Sequence, residues 1–588
     1  MAEISRRTFL RRTLFGAGML TVFANGGYRI AFAAPGPEVF KVRILHTNDH
    51  HARIEPVTSG TPAVLVHGGV SRRKTLIDAR RQAAQTANED LLLLDAGDVF
   101  QGTLYFNQYN GKADLEFYKG MQYQAMAIGN HEFDRGQQVL ADFITAAAAP
   151  VFTPPPPVAG GTPVDGGNTF PVISANIQTA ASSPLNGLIQ PNVVLTLPHT
   201  GKKIGIFGLT TPETAILSSP GAGVTFREDL EAVVAEQVAA LQAQHVDAII
   251  GLTHIGYTVD LDLAKKTSGV SLIIGGHSHT PLGPQPNPAG PYPTPVTNKD
   301  GESVPVFTDW EWGRWLGEFV VGFDAAGHVT SVTGAPVEVV ADSSKPGYVE
   351  PNAAFEQRIT EGYAPPLEQL RNQEIGSSAV ALNGNRSDVR TSETNLGSLI
   401  ADAVLNKTEP DGSQIAIMNG GGIRTSIDTG PVTLGEVLEV LPFGNKVALV
   451  DITGAQVKAA LENGVSQVET VQGRFPQVAG IRFTFTPNRP LGERILSLEI
   501  ARGDGFVPID PAATYRVVTN DFMLGGGDGY SVFTEGTNKV DTGFLLADVV
   551  ADYIGTISPV EDKDITGNRI TRVNYMWLPL TINAAQPV

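Results

Sequence analysis

The sequence predicts an α/β protein with at least two domains. Its 588 residues exceed the length at which a single hydrophobic core stops growing. Between Val39 and about Val340, short apolar segments alternate with helix-like segments, which is typical of strands covered by helices on both faces. A second compositional unit follows residue 373 and also alternates between helix-like and strand-like patterns.

The N-terminus has the features of an export signal. Residues 5–12, SRRTFLRR, contain a twin-arginine pattern, and an apolar segment and a small-residue cleavage site near Ala33 follow it. We predict that residues 1–33 are a signal peptide, that the twin-arginine export machinery is a partner, and that the mature protein is periplasmic or secreted. The alternative is an arginine-rich tail beside a buried helix. No other stretch is long and apolar enough to span a bilayer, so we expect no stable membrane anchor.

Seven apolar segments predict the buried strands of the first domain, and REDLEAVVAEQVAALQAQ predicts a helix between two of them. The Pro/Gly-rich stretches 150–167 and 281–300 predict surface loops. The strand segments are KVRILHT, LLLLDAG, YQAMAIGN, FPVISANI, KIGIFGLTT, VDAIIGLTH and VSLIIGGHSH.

A linking helix at 352–373 leads to the second unit, and we expect Pro365 and Pro366 to interrupt it. In the second unit, SETNLGSLIADAVL predicts the capped start of a helix. The segment from Thr433 to Val465 predicts a helix, a strand and a second helix.

Composition excludes several classes of function. The formal net charge is −18, and no basic cluster occurs beyond the first dozen residues, so a nucleic acid polymer is not an expected partner. The chain has no cysteine, which excludes zinc–thiolate sites, iron–sulfur clusters and disulfides. All 11 histidines lie at or before His328, so chemistry that needs imidazole belongs to the first domain.

Five of the predicted strands end in potential metal ligands. Carboxyl ends of strands in an α/β sheet form the crevice in which ligands bind, so these groups are expected to converge. One such residue alone is usually a turn or cap residue, but burying several carboxylates and imidazoles together requires cations. Asp49 and His51 are two residues apart, as are His277 and His279. In an extended chain both members of such a pair point to one side, which suits one ion. The residues are Asp49, His50 and His51; Asp95 and Asp98; Asn130, His131 and Asp134; His254; and His277 and His279.

The motifs ILHTNDHH, GD, GNHEFD, TH and GGHSHT, in that order, resemble the metallophosphoesterase domain of the bacterial 5′-nucleotidase family. The resemblance extends from about Lys41 to the end of the chain. It implies an N-terminal four-layer, calcineurin-like metallophosphoesterase β-sandwich flanked by helices, a linking helix, and a smaller C-terminal α/β nucleotide-binding domain. The expected boundaries are 39–345 for the catalytic domain, 346–373 for the linking helix and 374–575 for the substrate-binding domain.

The resemblance also implies a centre of two divalent metal ions. Nitrogen and oxygen donors without thiolate suit Zn, Mn, Co or Fe(II), and the sequence leaves the choice open. His131 would face the substrate and Asp134 would orient and charge it; some relatives carry Gln in place of His279. The implied ligands are Asp49, His51, Asp98 and His279 for one ion, and Asp98, Asn130, His254 and His277 for the other, with Asp98 bridging.

The second domain contains groups suited to binding a nucleotide. Guanidinium groups pair with phosphate, and glycines let backbone N–H groups approach an anion, although a glycine-rich loop is more often only a turn. The resemblance implies that two aromatic rings hold the base and that one aspartate binds the ribose hydroxyls. The candidate residues are Arg386, Arg390, Asn419, Arg424, Phe443, Phe522 and Asp528.

The predicted function is release of phosphate from nucleoside 5′-monophosphates, with UDP-sugars or dinucleotides as further substrates. The alternatives are a 2′,3′-cyclic-nucleotide phosphodiesterase/3′-nucleotidase, a thiosulfohydrolase-like relative, and a non-catalytic periplasmic binding protein. The intact GNHEFD motif and the paired aromatic residues disfavour the thiosulfohydrolase. The segment FTDWEWGRWLGEF, residues 307–319, is richer in tryptophan than its counterpart in relatives. Its place near the end of the first domain predicts packing more than chemistry, and the alternative is an altered wall of the cleft.

Overall fold

The computed structural model describes residues 14–15, 18–22, 28–32, 36–59, 64–158, 160–218, 220–441, 443–503, 505–565 and 567–573. The twin-arginine motif and the cleavage site near Ala33 lie outside these residues. The chain forms two compact units, residues 1–367 and 368–588. Within the described ranges, no helix combines the length and apolar composition that crossing a membrane requires.

The first unit contains the strands β1 to β20, and each of the seven predicted strand segments forms at least one of them. The strands are Leu14–Phe15, Gly18–Val22, Tyr28–Phe32, Phe40–Thr47, Pro56–Ser59, Val64–Gly68, Leu91–Asp95, Ala125–Ala127, Val172–Ile173, Ile177–Thr179, Asn192–Thr196, Lys203–Thr210, Val224–Phe226, Ala248–His254, Leu272–Gly275, Thr294–Thr297, Ser303–Phe307, Trp315–Phe323, Val329–Gly334 and Val337–Glu338, in chain order.

Two sheets of this unit share one core. The first has the order β1-β2-β3-β19-β18-β4-β7-β8-β9, with β20 paired to β18, and the second has the order β11-β12-β14-β15-β17-β16. Apolar side chains of both sheets, including Ile44, Leu94, Ile206 and Ile250, pack in the same cluster. Removing these side chains from water stabilises the pair by about 25 cal/mol for each Å² buried. The predicted β-sandwich is confirmed.

Parallel strands dominate the centre of both sheets. Strands β4, β7, β8 and β9 are parallel in the first sheet, and β12, β14, β15 and β17 are parallel in the second. Parallel neighbours present their carboxyl ends at the same edge of a sheet, so the loops that follow β4, β7 and β8 are adjacent.

The α-helices of the first unit are Val70–Ala87, Leu104–Tyr109, Lys112–Met121, Gly136–Ala148, Thr214–Leu217, Leu230–Gln242, Tyr257–Lys266 and Ala353–Gln357.

The linking helix is continuous in helical conformation rather than interrupted. After Ala353–Gln357 comes a π-helical turn, Arg358–Tyr363, and then the helix Ala364–Arg371, within which the boundary between the units lies. Pro365 and Pro366 fall in the first turn of this last helix, where a missing N–H removes no hydrogen bond of that helix. The expected interruption at these prolines is therefore wrong.

The second unit is also α/β. Its five-stranded sheet, of order β25-β22-β29-β24-β30, has a separate hydrophobic cluster on each side. The strands β21 to β31 are Glu374–Ser378, Ile415–Asn419, Gly430–Thr433, Lys446–Thr453, Pro476–Ala479, Ile481–Phe485, Ile495–Arg502, Gly505–Pro508, Thr514–Asn520, Thr537–Leu545 and Ile570–Arg572. The helices are Arg386–Val389, Asn395–Thr408, Leu434–Val440, Gly454–Gly464, Asp521–Leu524, Ser531–Thr534, Leu546–Ile557 and Asp562–Ile565.

Hydroxyl side chains cap the helices of this unit where the sequence predicts helix starts. The Thr394 side chain accepts a hydrogen bond from the N–H of Gly397. Thr433 and Thr453 each begin a reciprocal capping box, which satisfies backbone N–H groups that a helix start otherwise leaves unpaired. The predicted helix, strand and second helix from Thr433 to Val465 are confirmed.

Candidate active site

The polar residues after the strands of both sheets converge at one place. Asp49 follows β4, Asp98 follows β7 and Asn130 follows β8 in the first sheet. His254 ends β14 and His277 follows β15 in the second sheet. These five residues come from five strands, and the hydrogen bonds and ion pairs described next join them.

Asp49, His51 and His279 form the first donor group. Their ligand atoms lie within 4.8 Å of one another. The His279 Nε2 atom is 3.2 Å from Asp49 Oδ1 and 3.0 Å from His51 Nε2. The Nδ1 atom of His51 is 3.1 Å from the carbonyl oxygen of Phe100, which turns Nε2 towards the group.

Asp98, His254 and His277 form the second donor group, again within 4.8 Å. His254 Nε2 is 3.0 Å from Asp98 Oδ2, and its Nδ1 atom is 2.7 Å from the carbonyl oxygen of Ala96. The Asn130 side-chain oxygen is 2.9 Å from His277 Nδ1. Asp98 also belongs to a third group, with His51 and His131, so its carboxylate lies between the other two groups.

The backbone around these ligands is not extended, contrary to the expectation from their spacing. Asp49, His51, His277 and His279 have φ values of 50°, 51°, 80° and 46°, in the left-handed region. Successive side chains in such turns do not alternate as they do in a strand. His277 and His279 consequently point into different donor groups, and the prediction that this pair chelates one ion is wrong.

His131 and Asp134 form a hydrogen-bonded pair beside the donor groups. His131 Nδ1 is 2.7 Å from Asp134 Oδ2, and the other carboxylate oxygen accepts a hydrogen bond from Ser218 at 2.7 Å. The backbone N–H of His131 donates to Asp98 Oδ1 at 2.9 Å. This geometry leaves Nε2, 4.0 Å from Asp98 Oδ2, facing the donor groups.

The carboxylates raise the pKa of two histidines in the site. Burial lowers the pKa of His254, but the nearby Asp98 carboxylate outweighs that effect and raises it to about 10. Burial likewise opposes Asp49 and Glu311, which together raise the pKa of His279 to about 10. The concentrated negative charge therefore favours cations at this position.

His51 and His277 are suited to act as neutral ligands. Burial lowers the pKa of His51 and of His277 to about 4, so both imidazoles are neutral at pH 7 and offer a lone pair. The buried His254 Nε2 atom makes no well-aligned hydrogen bond among the described residues. Nitrogen and oxygen donors in this arrangement fit divalent metal ions.

Glu132 shapes the site in a way that the sequence analysis missed. Its carboxylate accepts hydrogen bonds from the N–H groups of Gly129, Asp98, Val99 and Phe100 at 2.6–3.1 Å. It thereby joins the loop after β7 to the loop after β8. The only signal in the sequence is an acidic residue inside the GNHEFD motif, because residue types do not reveal the backbone N–H partners that a buried carboxylate requires.

The tryptophan-rich segment, for which the sequence predicts packing more than chemistry, also contacts the donor groups. The backbone N–H of Trp312 donates to the carbonyl oxygen of Asp49 at 2.7 Å, and the Asn48 side chain donates to the carbonyl oxygen of Trp310 at 2.7 Å. Glu311 lies between the two tryptophans, and its carboxylate is 2.6 Å from His279 Nδ1.

In the second unit, the candidate residues gather at the carboxyl ends of two parallel strands. Asn419 ends β22 and Asn520 ends β29. The Asn419 side chain donates to Asp528 Oδ2 at 2.7 Å and accepts from Asn520 at 3.0 Å. A Cβ atom at Gly421 would lie 2.9 Å from the Cα of Gly473, so only glycine allows this close approach beside Asp528.

Three arginines accompany this cluster. Burial and the positive charges of Arg386 and Arg424 lower the pKa of Arg390, whereas Asp528 raises it. Such mutual repulsion between guanidinium groups favours an anion beside them. The Arg424 guanidinium lies 5.3 Å from the centre of the Phe443 ring.

The two aromatic candidates are unusually exposed for their type. Phe443 is 44% exposed and Phe522 is 48% exposed. A Cβ atom at Gly527 would lie 2.5 Å from the Phe522 ring, which places this ring against the loop that carries Asp528. Both rings are thus available to an aromatic ligand rather than buried in the core.

Comparisons with known proteins match both units of the chain. Residues 42–281 match the calcineurin-like phosphoesterase family, and residues 374–535 match the 5′-nucleotidase C-terminal domain. The snake venom 5′-nucleotidase of Crotalus adamanteus is 35% identical over 549 residues, which cover 89% of this chain and 87% of that protein. The trifunctional nucleotide phosphoesterase YfkN of Bacillus subtilis is 38% identical over 576 residues, which cover 94% of this chain and 36% of that longer protein.

A solved structure gives the same result. The 5′-nucleotidase precursor of Thermus thermophilus is 43% identical, with a TM-score of 0.61, and the match covers 91% of this chain and 100% of that one. Both units of the chain thus have counterparts in single proteins of one kind. The chain belongs to the 5′-nucleotidase family, whose first domain is a calcineurin-like metallophosphoesterase.

Proposed function

We propose that this protein is an exported 5′-nucleotidase that uses two divalent metal ions to release phosphate from nucleoside 5′-monophosphates. The observation that carries the proposal is the position of the His131–Asp134 pair beside three overlapping groups of metal donors. Its domains would be a signal peptide at 1–33, a catalytic domain at 39–345, a linking helix at 346–373 and a substrate-binding domain at 374–575.

The proposed ligands are those that the family resemblance implies, and the donor groups support them. Divalent ions bound there would neutralise phosphate charge and lower the pKa of water. Asp98 is the proposed bridging ligand, since its carboxylate lies between the groups. We assign one ion to Asp49, His51, Asp98 and His279, and the other to Asp98, Asn130, His254 and His277.

His131 is the proposed catalytic side chain. Because Nδ1 bonds to Asp134, the proton that the imidazole can donate is the one on Nε2. The Asp134 carboxylate favours the protonated ring, and the hydrogen bond from Ser218 holds that carboxylate in place. In this role His131 stabilises negative charge on the phosphoryl group and protonates the leaving oxygen.

The second unit is proposed to recognise the nucleotide. Arg386, Arg390 and Arg424 supply positive charge for phosphate, and Phe443 and Phe522 supply stacking surfaces. Asp528 is proposed to accept hydrogen bonds from the ribose hydroxyls. Its φ of 53° and its bond from Asn419 fix the direction of its carboxylate.

Hydrolysis of nucleotide phosphodiester and pyrophosphate linkages is the second candidate function. The similarity to a trifunctional nucleotide phosphoesterase favours it. UDP-sugars and dinucleotides would present a pyrophosphate linkage to the same metal groups, and 2′,3′-cyclic nucleotides would present a phosphodiester. A non-catalytic binding protein would hydrolyse none of these compounds.

The test is a substrate profile of metal-loaded protein. Purified protein is assayed with AMP, UDP-glucose, NAD and 2′,3′-cyclic AMP, with and without a chelator. We expect phosphate release from AMP to be fastest and to stop when the chelator is present. Turnover that is undiminished by complete metal removal, or absent with every compound, would refute the proposal.

A further inference from the structure

Glu311 makes a contact that the proposed chemistry does not yet use. Its Oε2 atom lies 2.6 Å from His279 Nδ1, and its other oxygen lies 3.2 Å from Arg314 Nη1. The Glu311 side chain is 13% exposed, whereas the His279 side chain is 35% exposed. His279 is therefore a partly exposed imidazole held by a shielded carboxylate.

The segment that carries Glu311 is fixed against the loop of the first donor group. The Asn48 side-chain amide donates to the carbonyl oxygen of Trp310, and the backbone N–H of Trp312 donates to the carbonyl oxygen of Asp49. Trp310 and Trp312 have φ values of 56° and 62°, which bulky residues adopt only where the surroundings impose them. Glu311 is thus presented from a defined backbone on both sides.

Two arginines reinforce this segment. The Arg314 guanidinium lies 4.7 Å from the Trp310 ring and 4.2 Å from the Trp312 ring. The Arg53 guanidinium also lies 4.2 Å from the Trp312 ring. Cation–π contacts of this kind favour a fixed ring position. Arg314 therefore links the two indole rings to the Glu311 carboxylate.

Among the proposed metal ligands, His279 differs from His51 and His254 in the partner of its Nδ1 atom. His51 and His254 each place Nδ1 against a backbone carbonyl oxygen, of Phe100 and Ala96. His279 instead meets a carboxylate. A carboxylate partner fixes the tautomer and the orientation of a metal-binding imidazole and makes its other nitrogen a stronger ligand.

We propose that Glu311 is a positioning residue that directs His279 Nε2 into the first donor group and raises the affinity of that group for a divalent ion. The inference rests on the proposed function, because it assigns a metal to Asp49, His51 and His279. It also gives the tryptophan-rich segment a role in which Trp310 and Trp312 hold the carboxylate beside the ligand.

The test compares E311Q with the matched control E338Q. Glu338 accepts from His67 Nδ1 at 2.9 Å, so it forms the same kind of pair outside the donor groups. Metal-stripped full chain is titrated with Co²⁺, and the visible absorption and the bound metal are both measured. We expect E311Q to bind one of two ions about ten to a hundred times more weakly than wild type, and E338Q to match wild type.

The other outcomes are separable. Equal weakening of both ions, or unchanged affinity for both, would overturn the role of Glu311 while leaving the metal centre intact. Wild-type protein that binds no Co²⁺ would instead overturn the proposed function. Thermal unfolding of the metal-free variants excludes misfolding as the cause, since the proposal predicts equal midpoints for E311Q and wild type.

A second variant tests whether Glu311 acts through His279. Some relatives carry Gln in place of His279, so H279Q retains a potential ligand without an imidazole. We expect E311Q to weaken Co²⁺ binding in wild type but to add no further loss in the H279Q background. Additive losses in the double variant would show that Glu311 acts through another group, such as Arg314.

Discussion

At the scale of single residues, the orientation of each imidazole depends on the partner of its Nδ1 atom. Backbone carbonyl oxygens hold His51 and His254, and the Asp134 carboxylate holds His131. In each case Nε2 remains directed at the donor groups. The same kind of ring can therefore serve as a metal ligand, as proposed for His51 and His254, or as a proton donor, as proposed for His131.

Replacement of His131 tests its catalytic role. We expect H131A to lower kcat for AMP about 100- to 10,000-fold, because a positioned general acid contributes about that much. The metal content should not change, since the proposed ligand set does not include His131. Steady-state kinetics and elemental analysis of the same sample measure both quantities.

The matched control is H245A, which removes an exposed histidine after the helix Leu230–Gln242. It should retain wild-type kcat. If H131A loses a metal ion, His131 is a metal ligand. Its position in the third donor group is compatible with that role. If H131A keeps near-normal turnover, the assignment of the proton donor is wrong.

Replacement of Phe522 tests base stacking. We expect F522A to raise KM about 5- to 150-fold, which corresponds to the roughly 1–3 kcal/mol that stacking contributes per base. The rise should be similar for AMP and UMP, because every base has a face that can stack. The control F544A removes another exposed ring, in β30, which is 42% exposed. A loss confined to purine substrates would contradict simple stacking.

Single-residue features were predictable where a motif carries them. The positions of His131 and Asp134 follow from their place after a buried strand. Glu311 was not predictable, because its partner His279 is 32 positions away in the sequence and the contact depends on the folded loop after β17. Glu132 was hidden for a related reason, since its partners are backbone N–H groups, which a sequence does not distinguish.

At the scale of elements, the two loops after β7 and β8 act as one piece because Glu132 bonds to both. Replacing its carboxylate by an amide puts N–H₂ against some of the four N–H donors. We expect E132Q to lower the free energy of unfolding by about 1–3 kcal/mol. The displaced Asp98 should lower kcat as well. Urea unfolding and phosphate release from AMP measure the two effects.

The control for this change is E213Q, at an exposed residue before the helix Thr214–Leu217. Its stability should equal that of wild type. An E132Q protein with unchanged stability and activity would show that the two loops hold their positions without this carboxylate.

Strands and helices followed from local patterns to different degrees. The buried strands were predictable because continuous apolar runs such as LLLLDAG fit only a covered sheet. The conformation at Asp49 and His279 was not, because a left-handed turn outside glycine is imposed by contacts rather than by local preference. The helix at Pro365 and Pro366 was not predictable either, because both prolines fall in the first turn of Ala364–Arg371, directly after a π-helical turn.

At the scale of the whole molecule, stability depends on buried acids as well as on the cores. Burial raises the pKa of Asp260 to about 7, although the hydrogen bond from Thr253 opposes this. At this group the folded protein therefore binds more protons than the unfolded chain between about pH 4 and pH 7. The contribution of Asp260 to the free energy of unfolding falls as the pH rises through this interval.

Asn at this position removes the titration. We expect D260N to lose less stability than wild type between about pH 5 and pH 8, because an amide has no proton to give up. Urea unfolding at the two pH values measures the difference. The control D262N changes an exposed residue on the same helix and should keep the wild-type dependence. Parallel pH profiles for D260N and wild type would show that Asp260 is already ionised at about pH 5.

The left-handed backbone at Asp49, His51, Asp98, His277 and His279 constrains how the enzyme can be made more robust. Glycine would fit each of these turns with less strain but would remove a donor atom. Stabilising substitutions should therefore be made in surface turns elsewhere and not at these five residues. Glycine at these five residues would raise stability at the expense of activity.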